Sequence, residues 1–269
     1  MSDSIAITSG KGGVGKTTFA VNLSIAQRKF TDQVFLLDTD MGMANSHVLL
    51  GVNPEHSISD VISGEKKISE IIENYRKGID LISGGTASNS LLNLENVKRY
   101  SILNEIDNHL KTFKNVKLMV DIAAGAEDNA LVFSLACDRI LIVIVGEPTS
   151  FIDSYALIKA LYSKSSFKNY CVAVNQVDND SHGKDLFKKF QSITAKFLDV
   201  NLHYVGCVKS SQKIRKSIVD RKPVSISEPK SEISQSFLKI AKNINETPSN
   251  EWGGLTSFKS PKKSVSYQL

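Results

Sequence analysis

Gly10-Lys11-Gly12-Gly13-Val14-Gly15-Lys16-Thr17-Thr18 is the stretch that decides the fold of this chain. Gly10 and Gly15 are separated by four residues and followed by Lys16 and Thr17, which is a phosphate-loop pattern. The flanks supply what that pattern needs. Ile5, Ala6 and Ile7 read as a buried strand, and Thr17 to Phe30 reads as a helix with Phe19, Leu23 and Ala26 at helical spacing. A strand, a glycine loop and a helix start in succession make an anion site. Small residues free backbone N–H groups to wrap phosphates, and the helix N-terminus adds partial positive charge. Gly10 through Thr18 are therefore the candidate ATP-binding residues. Lys16 is placed to reach the β- and γ-phosphates, and the Thr17 hydroxyl to bind Mg²⁺.

Working outward, Gln33 to Leu37 is a second apolar strand that ends in Asp38-Thr39-Asp40. Carboxylates just past a strand's carboxyl end sit where open α/β sheets bind ligands. Asp40 is a candidate for positioning an attacking water, and Asp38 for holding Mg²⁺ through its water shell. The plainer alternative is that one of them caps the next segment, Met41 to Leu50. Val116 to Val120 is a further buried strand, closing on Asp121-Ile122-Ala123-Ala124-Gly125. Asp121 is a second group to organise Mg²⁺ through water, and the small residues after it allow close backbone approach to a γ-phosphate. Arg139 to Val145 is the most apolar run and reads as a central strand covered on both faces. The helix after it is expected to be capped by Thr149 or Ser150. Cys171 to Val174 is another strand, ending at Asn175, whose amide can read an adenine edge or merely form a turn. The strands alternate with helical stretches, so the fold class is α/β: a three-layer, doubly wound, mainly parallel sheet flanked by helices.

Lys11 is a second lysine inside the loop. Turned toward its own nucleotide it would crowd Lys16 with a like charge, so it is expected to face outward, toward phosphates held by another copy. The alternative is a solvated loop lysine. Lys-Gly-Gly-Val-Gly-Lys-Thr-Thr resembles the deviant phosphate loop of the MinD/ParA ATPases. The resemblance implies a P-loop NTPase fold, slow hydrolysis of ATP with Mg²⁺, and a homodimer that sandwiches ATP with Lys11 reaching across. It makes Lys11, Lys16, Asp40 and Asp121 the catalytic set. Asp-Thr-Asp-Met-Gly-Met-Ala-Asn-Ser-His is similar to the first switch of that family, where the second Asp is needed for hydrolysis. Glu147-Pro148-Thr149-Ser150, then Asp153 and Tyr155-Ala156-Leu157-Ile158-Lys159, is similar to the FlhG/FleN branch, regulators of flagellar number and placement. That branch implies as partners an FlhF-like GTPase, a basal-body component or a flagellar transcription activator. It also implies recruitment of a cytoplasmic protein to the inner membrane or cell pole. The chain departs from the family pattern at Gln176, where an Arg is common, and at Lys209-Ser210-Ser211, near where the family contacts the base.

Composition is compatible with this reading. The chain has 269 residues, 41% of them hydrophobic, and a net charge of +5. That is enough for one sizeable core, expected over residues 1–247, followed by a polar Ser/Lys-rich tail over 248–269. The first strand begins close to Met1, which reads as a cytoplasmic chain without a secretory leader. Cys137, Cys171 and Cys207 are isolated and odd in number, as expected of small core residues in a reducing compartment. The mild charge does not announce specific nucleic-acid binding. Lys213, Arg215, Lys216, Arg221 and Lys222 nevertheless form a basic run that a ParA-like partition ATPase would use to coat DNA. A membrane-associated MinD-like division-site protein is the other alternative, although the Gly- and Pro-interrupted tail cannot form a continuous amphipathic helix. Leu186, Phe187, Phe190, Ile193 and Phe197 share one face of a helix over Asp185 to Leu198 and read as core.

Overall fold

The computed structural model describes residues 3–39, 45–85 and 96–250. Asp40 and the segment from 251 onward, which holds most of the expected tail, lie outside the described residues. The strands are β1 (Asp3–Thr8), β2 (Gln33–Asp38), β3 (Ile72–Arg76), β4 (Ile79–Ile82), β5 (Val116–Asp121), β6 (Arg139–Ile144), β7 (Asn169–Val177) and β8 (Asn201–Lys209). They form one sheet in the order β3-β4-β2-β5-β1-β6-β7-β8, parallel throughout except for the antiparallel β3–β4 pair. Helical crossovers join the parallel strands, as that geometry requires. The described helices are α1 (Lys16–Gln27), α2 (Ser46–Leu50), α3 (Ile58–Ile62), α4 (Asn96–Leu110), α5 (Asp128–Leu135), α6 (Pro148–Ser165), α7 (Asp180–Thr194), α8 (Gln212–Val219), α9 (Val224–Ser227) and α10 (Glu232–Glu246).

Alternation along each strand divides the core into two layers. Phe35, Leu37, Leu118, Val120, Ile140, Ile142 and Ile144 face one way, where they pack with residues of α4 to α7. Val34, Leu36, Met119, Leu141 and Val143 face the other way, under α1 and α10. Phe19 of α1 meets Phe237 of α10 edge to face, with ring centroids 5.1 Å apart. The doubly wound, mainly parallel sheet flanked by helices is thus the architecture that the strand–loop–helix reading implies.

Three local features differ from the sequence reading. Ile72 to Arg76, unassigned in the sequence reading, is a strand: it turns at Gly78, whose φ of +81° suits glycine, and pairs with β4. α7 starts at Asp180 because the Asn179 side chain accepts the His182 N–H and caps it. On α7, Leu186, Phe187 and Phe190 are buried, but Ile193 is 42% exposed, and Phe197, just past its end, is 70% exposed. With Ile152 and Tyr155 of α6 these two line an apolar groove of about 800 Å³ between the helices.

The three cysteines are buried, and burial pushes the Cys137 thiol well up and that of Cys171 up to about 11. Thiolate, not thiol, is the nucleophile, so native protein at neutral pH is expected to resist a thiol reagent at Cys137 and Cys171 until it is unfolded. Fast native-state labelling of either, read by mass spectrometry, would contradict that packing. Among the described residues, no helix is long and apolar enough to cross a membrane.

Candidate nucleotide-binding site

β1 lies inside the sheet between β5 and β6. The loop that leaves its carboxyl end therefore opens at a point where connections run to both sides, which is where such sheets take ligands. Gly13 and Gly15 adopt φ of +78° and +85°, backbone that glycine reaches without strain. A Cβ on Gly12 or Gly13 would meet nothing within 4 Å, so the bare backbone there faces open space. A Cβ on Gly10 would instead collide with the backbone of Asp153 and Ser154 in α6. The first glycine lets loop and helix touch, and the later ones leave amides accessible. Asn175 Nδ2 donates to the Val14 carbonyl at 2.8 Å, bracing the loop against β7.

The charged groups gather under this loop. Lys16 is only 8% exposed, and its Nζ lies 3.2 Å from Oδ1 of the fully buried Asp121. Asp38 and Asp121 are direct register partners at the ends of β2 and β5. Asp38 Oδ2 accepts the backbone N–H groups of Asn45 and Ser46 at 3.1 and 2.9 Å, so in this conformation it holds the start of α2. Thr39 donates its amide and hydroxyl to the Asp121 carbonyl, each at 2.9 Å. Gly125, at φ +98°, donates its amide to the Ser9 carbonyl at 2.9 Å. The segments after β2 and β5 are thereby laced to each other and to the loop. Lys16 and Asp38 both come to Asp121, Thr17 follows Lys16 in the first turn of α1, Asn175 holds the loop at Val14, and Asp40 falls outside the described residues.

Lys11 sits apart from this group. Its Nζ ion-pairs with the Glu147 carboxylate and lies 3.0 Å from the Thr149 hydroxyl, both at the start of α6. Neither Thr149 nor Ser150 caps that helix as the sequence suggests. α6 starts at Pro148 with Glu147 in the cap position, and Ser150 Oγ accepts the Val145 amide at 3.1 Å. Proline suits a first helical position because its missing N–H has no partner there. Gln176 also escapes local reading: it bulges out of the β7–β8 pairing at φ +59°, next to Asn175. Such left-handed, non-glycine backbone is held only where the surroundings fix it. In the basic run, Lys213 ion-pairs with Glu228, and the nearby Lys209 pairs with Glu232.

A buried lysine, bare glycine amides, a hydroxyl at a helix start and carboxylates on adjacent strands are the donors and acceptors that nucleotide phosphates and a divalent cation require. The comparisons agree. Residues 5–224 match the CobQ/CobB/MinD/ParA nucleotide binding domain. The chain is 34% identical over 259 residues to the antiactivator FleN of Pseudomonas aeruginosa, covering 94% of this chain and 91% of that protein. It is 30% identical over 238 residues to the flagellum site-determining protein YlxH of Helicobacter pylori, covering 88% and 80%. In fold it matches the septum site-determining protein MinD of Pyrococcus horikoshii, complexed with Mg-ADP, with a TM-score of 0.73 at 22% identity over 91% of this chain and 97% of that one. Loop, sheet and sequence converge, and the chain belongs to the CobQ/CobB/MinD/ParA nucleotide-binding family, with FleN and YlxH among its relatives.

Proposed function

We propose that this protein is a slow ATPase whose ATP-dependent homodimer regulates the number or placement of flagella. Lys16 exchanges Asp121 for the β- and γ-phosphates of ATP. The Thr17 hydroxyl, with Asp38 and Asp121, would hold Mg²⁺. When bound, that cation neutralises charge on the phosphate oxygens. Gly10 through Thr18 wrap the phosphates, Asn175 borders the adenine, and Asp40 orients the attacking water. Lys11 crosses to the γ-phosphate held by the second copy. Slow turnover suits a switch whose signal is the lifetime of its ATP state. An FlhF-like GTPase, a basal-body component or a flagellar transcription activator would read that state at the inner membrane or cell pole; relatives named as an antiactivator and a flagellum site-determining protein support the flagellar role.

The observation that carries this reading is the outward position of Lys11, held by Glu147 and Thr149 and not turned toward Lys16. Light scattering tests it. Protein with ATP–Mg²⁺ is expected to be dimeric, more persistently so for Asp40→Ala, and monomeric with ADP–Mg²⁺ or as Lys11→Ala. A monomer under every nucleotide condition would sink the sandwich role of Lys11. The partition reading is weakened by the pairing of Lys213 with Glu228, which offsets part of the basic run it needs.

Lys11 and Glu147 form a half-exposed pair, and such pairs contribute about 0–1 kcal/mol. Freeing Lys11 therefore costs little. Glu147→Gln is expected to favour the ATP dimer by up to about five-fold. A weaker dimer in that variant would show that Glu147 acts across the interface and does not restrain Lys11.

A further inference from the structure

Arg28 and Lys29 at the end of α1, and Arg76 and Lys77 in the β3–β4 turn, line one cavity of about 550 Å³. No carboxylate is among its lining residues, and none of the ion pairs among the described residues involves these four cations. Like charges brought together repel unless an anion joins them.

The walls are fixed by packing. The Arg28 guanidinium lies over Gly78, where any Cβ would collide with it, and donates to the Thr31 carbonyl. The Ser225 amide donates to Asn22 Oδ1 at 2.9 Å, which ties α9 to α1. Ile25, Ile79 and Ile226 supply an apolar floor. α1 has 12 residues, so at about 1.5 Å per residue its two ends are roughly 18 Å apart. Its start carries the phosphate loop and its end carries this cavity.

We propose that the cavity is a second binding site, for a phosphate ester bearing more than one negative charge and a small apolar portion. The clustered cations supply the countercharge, and the arginines offer planar donor sets suited to phosphate. A soluble phosphorylated compound and an anionic lipid headgroup share this chemistry.

Full-length protein titrated with inorganic pyrophosphate by calorimetry, and sedimented with cardiolipin-containing vesicles, separates the two sources. The test variants are Arg76→Gln/Lys77→Gln and, separately, Lys29→Gln, all at exposed lining cations. For a soluble ligand, the paired variant binds one fewer pyrophosphate per chain than the parent, with melting temperature and ATP turnover unchanged. For a lipid headgroup, pyrophosphate stoichiometry is the same in both, and vesicle binding falls about ten-fold in the variant. In either case Lys29→Gln weakens the same binding without loss of stability. Absence of binding in both arms, or binding that all the variants leave unchanged, overturns the proposal.

Discussion

Lys16→Ala is expected to reduce ATP turnover to background and to lower the melting temperature by about 6–20 °C. The two effects have different origins. Turnover falls because the lysine meets the phosphate charge that develops during transfer, and loss of one such group costs about 10²- to 10³-fold or more. Stability falls because Lys16 and Asp121 form a buried pair 3.2 Å apart. Removing one partner of a buried pair costs about 3–5 kcal/mol, since the other charge stays desolvated. Each kcal/mol corresponds to about 2–4 °C in a chain of this size. Lys16→Ala/Asp121→Ala separates the effects: it is expected to recover most of the melting temperature and none of the turnover. Calorimetric melting of both variants without nucleotide is the measurement. A single variant as stable as the parent would show that the pair contributes nothing to the apo fold.

Gly10→Ala is expected to damage both stability and nucleotide binding, whereas Gly12→Ala damages binding alone. A Cβ at Gly10 meets the backbone of Asp153 and Ser154, and backbone within α6 cannot swing aside as a side-chain tip can. Overpacking of this kind costs about 1–3 kcal/mol, occasionally more. Relief by shifting the loop would misplace the phosphate amides, and about 1 Å of misplacement can cost roughly 10²-fold. At Gly12 a Cβ has open space and φ is not positive, so the fold tolerates it. The added methyl would then stand where phosphates are proposed to approach the bare backbone. Thermal melting beside an ATP-affinity measurement distinguishes the two positions. Equal melting temperatures for Gly10→Ala and the parent would mean that loop and α6 are not in fixed contact.

Much of the site is written locally and is therefore legible without a structure. Glycine spacing, an apolar run before it and helical periodicity after it place Lys16 and Thr17 at a strand–helix junction within some fifteen residues of chain. The apolar runs at Val116 and Arg139 announce buried strands for the same reason. Family resemblance added roles for Asp40, Lys11 and the partners, which spacing alone does not contain.

The remainder depends on which distant segments become neighbours. Asp38 and Asp121 are 83 positions apart and meet only because β2 pairs with β5. Lys11 finds Glu147 across 136 residues because α6 packs against Gly10. Ile193 and Phe197 have the spacing of core residues, yet only the placement of α6 beside α7 decides that they line an open groove. The four cations of the second cavity come from two segments, the end of α1 and the β3–β4 turn, neither of them unusual alone. Periodicity specifies which face of an element is apolar. Which face meets which is settled by the packing of the whole sheet, where each contact depends on all the others.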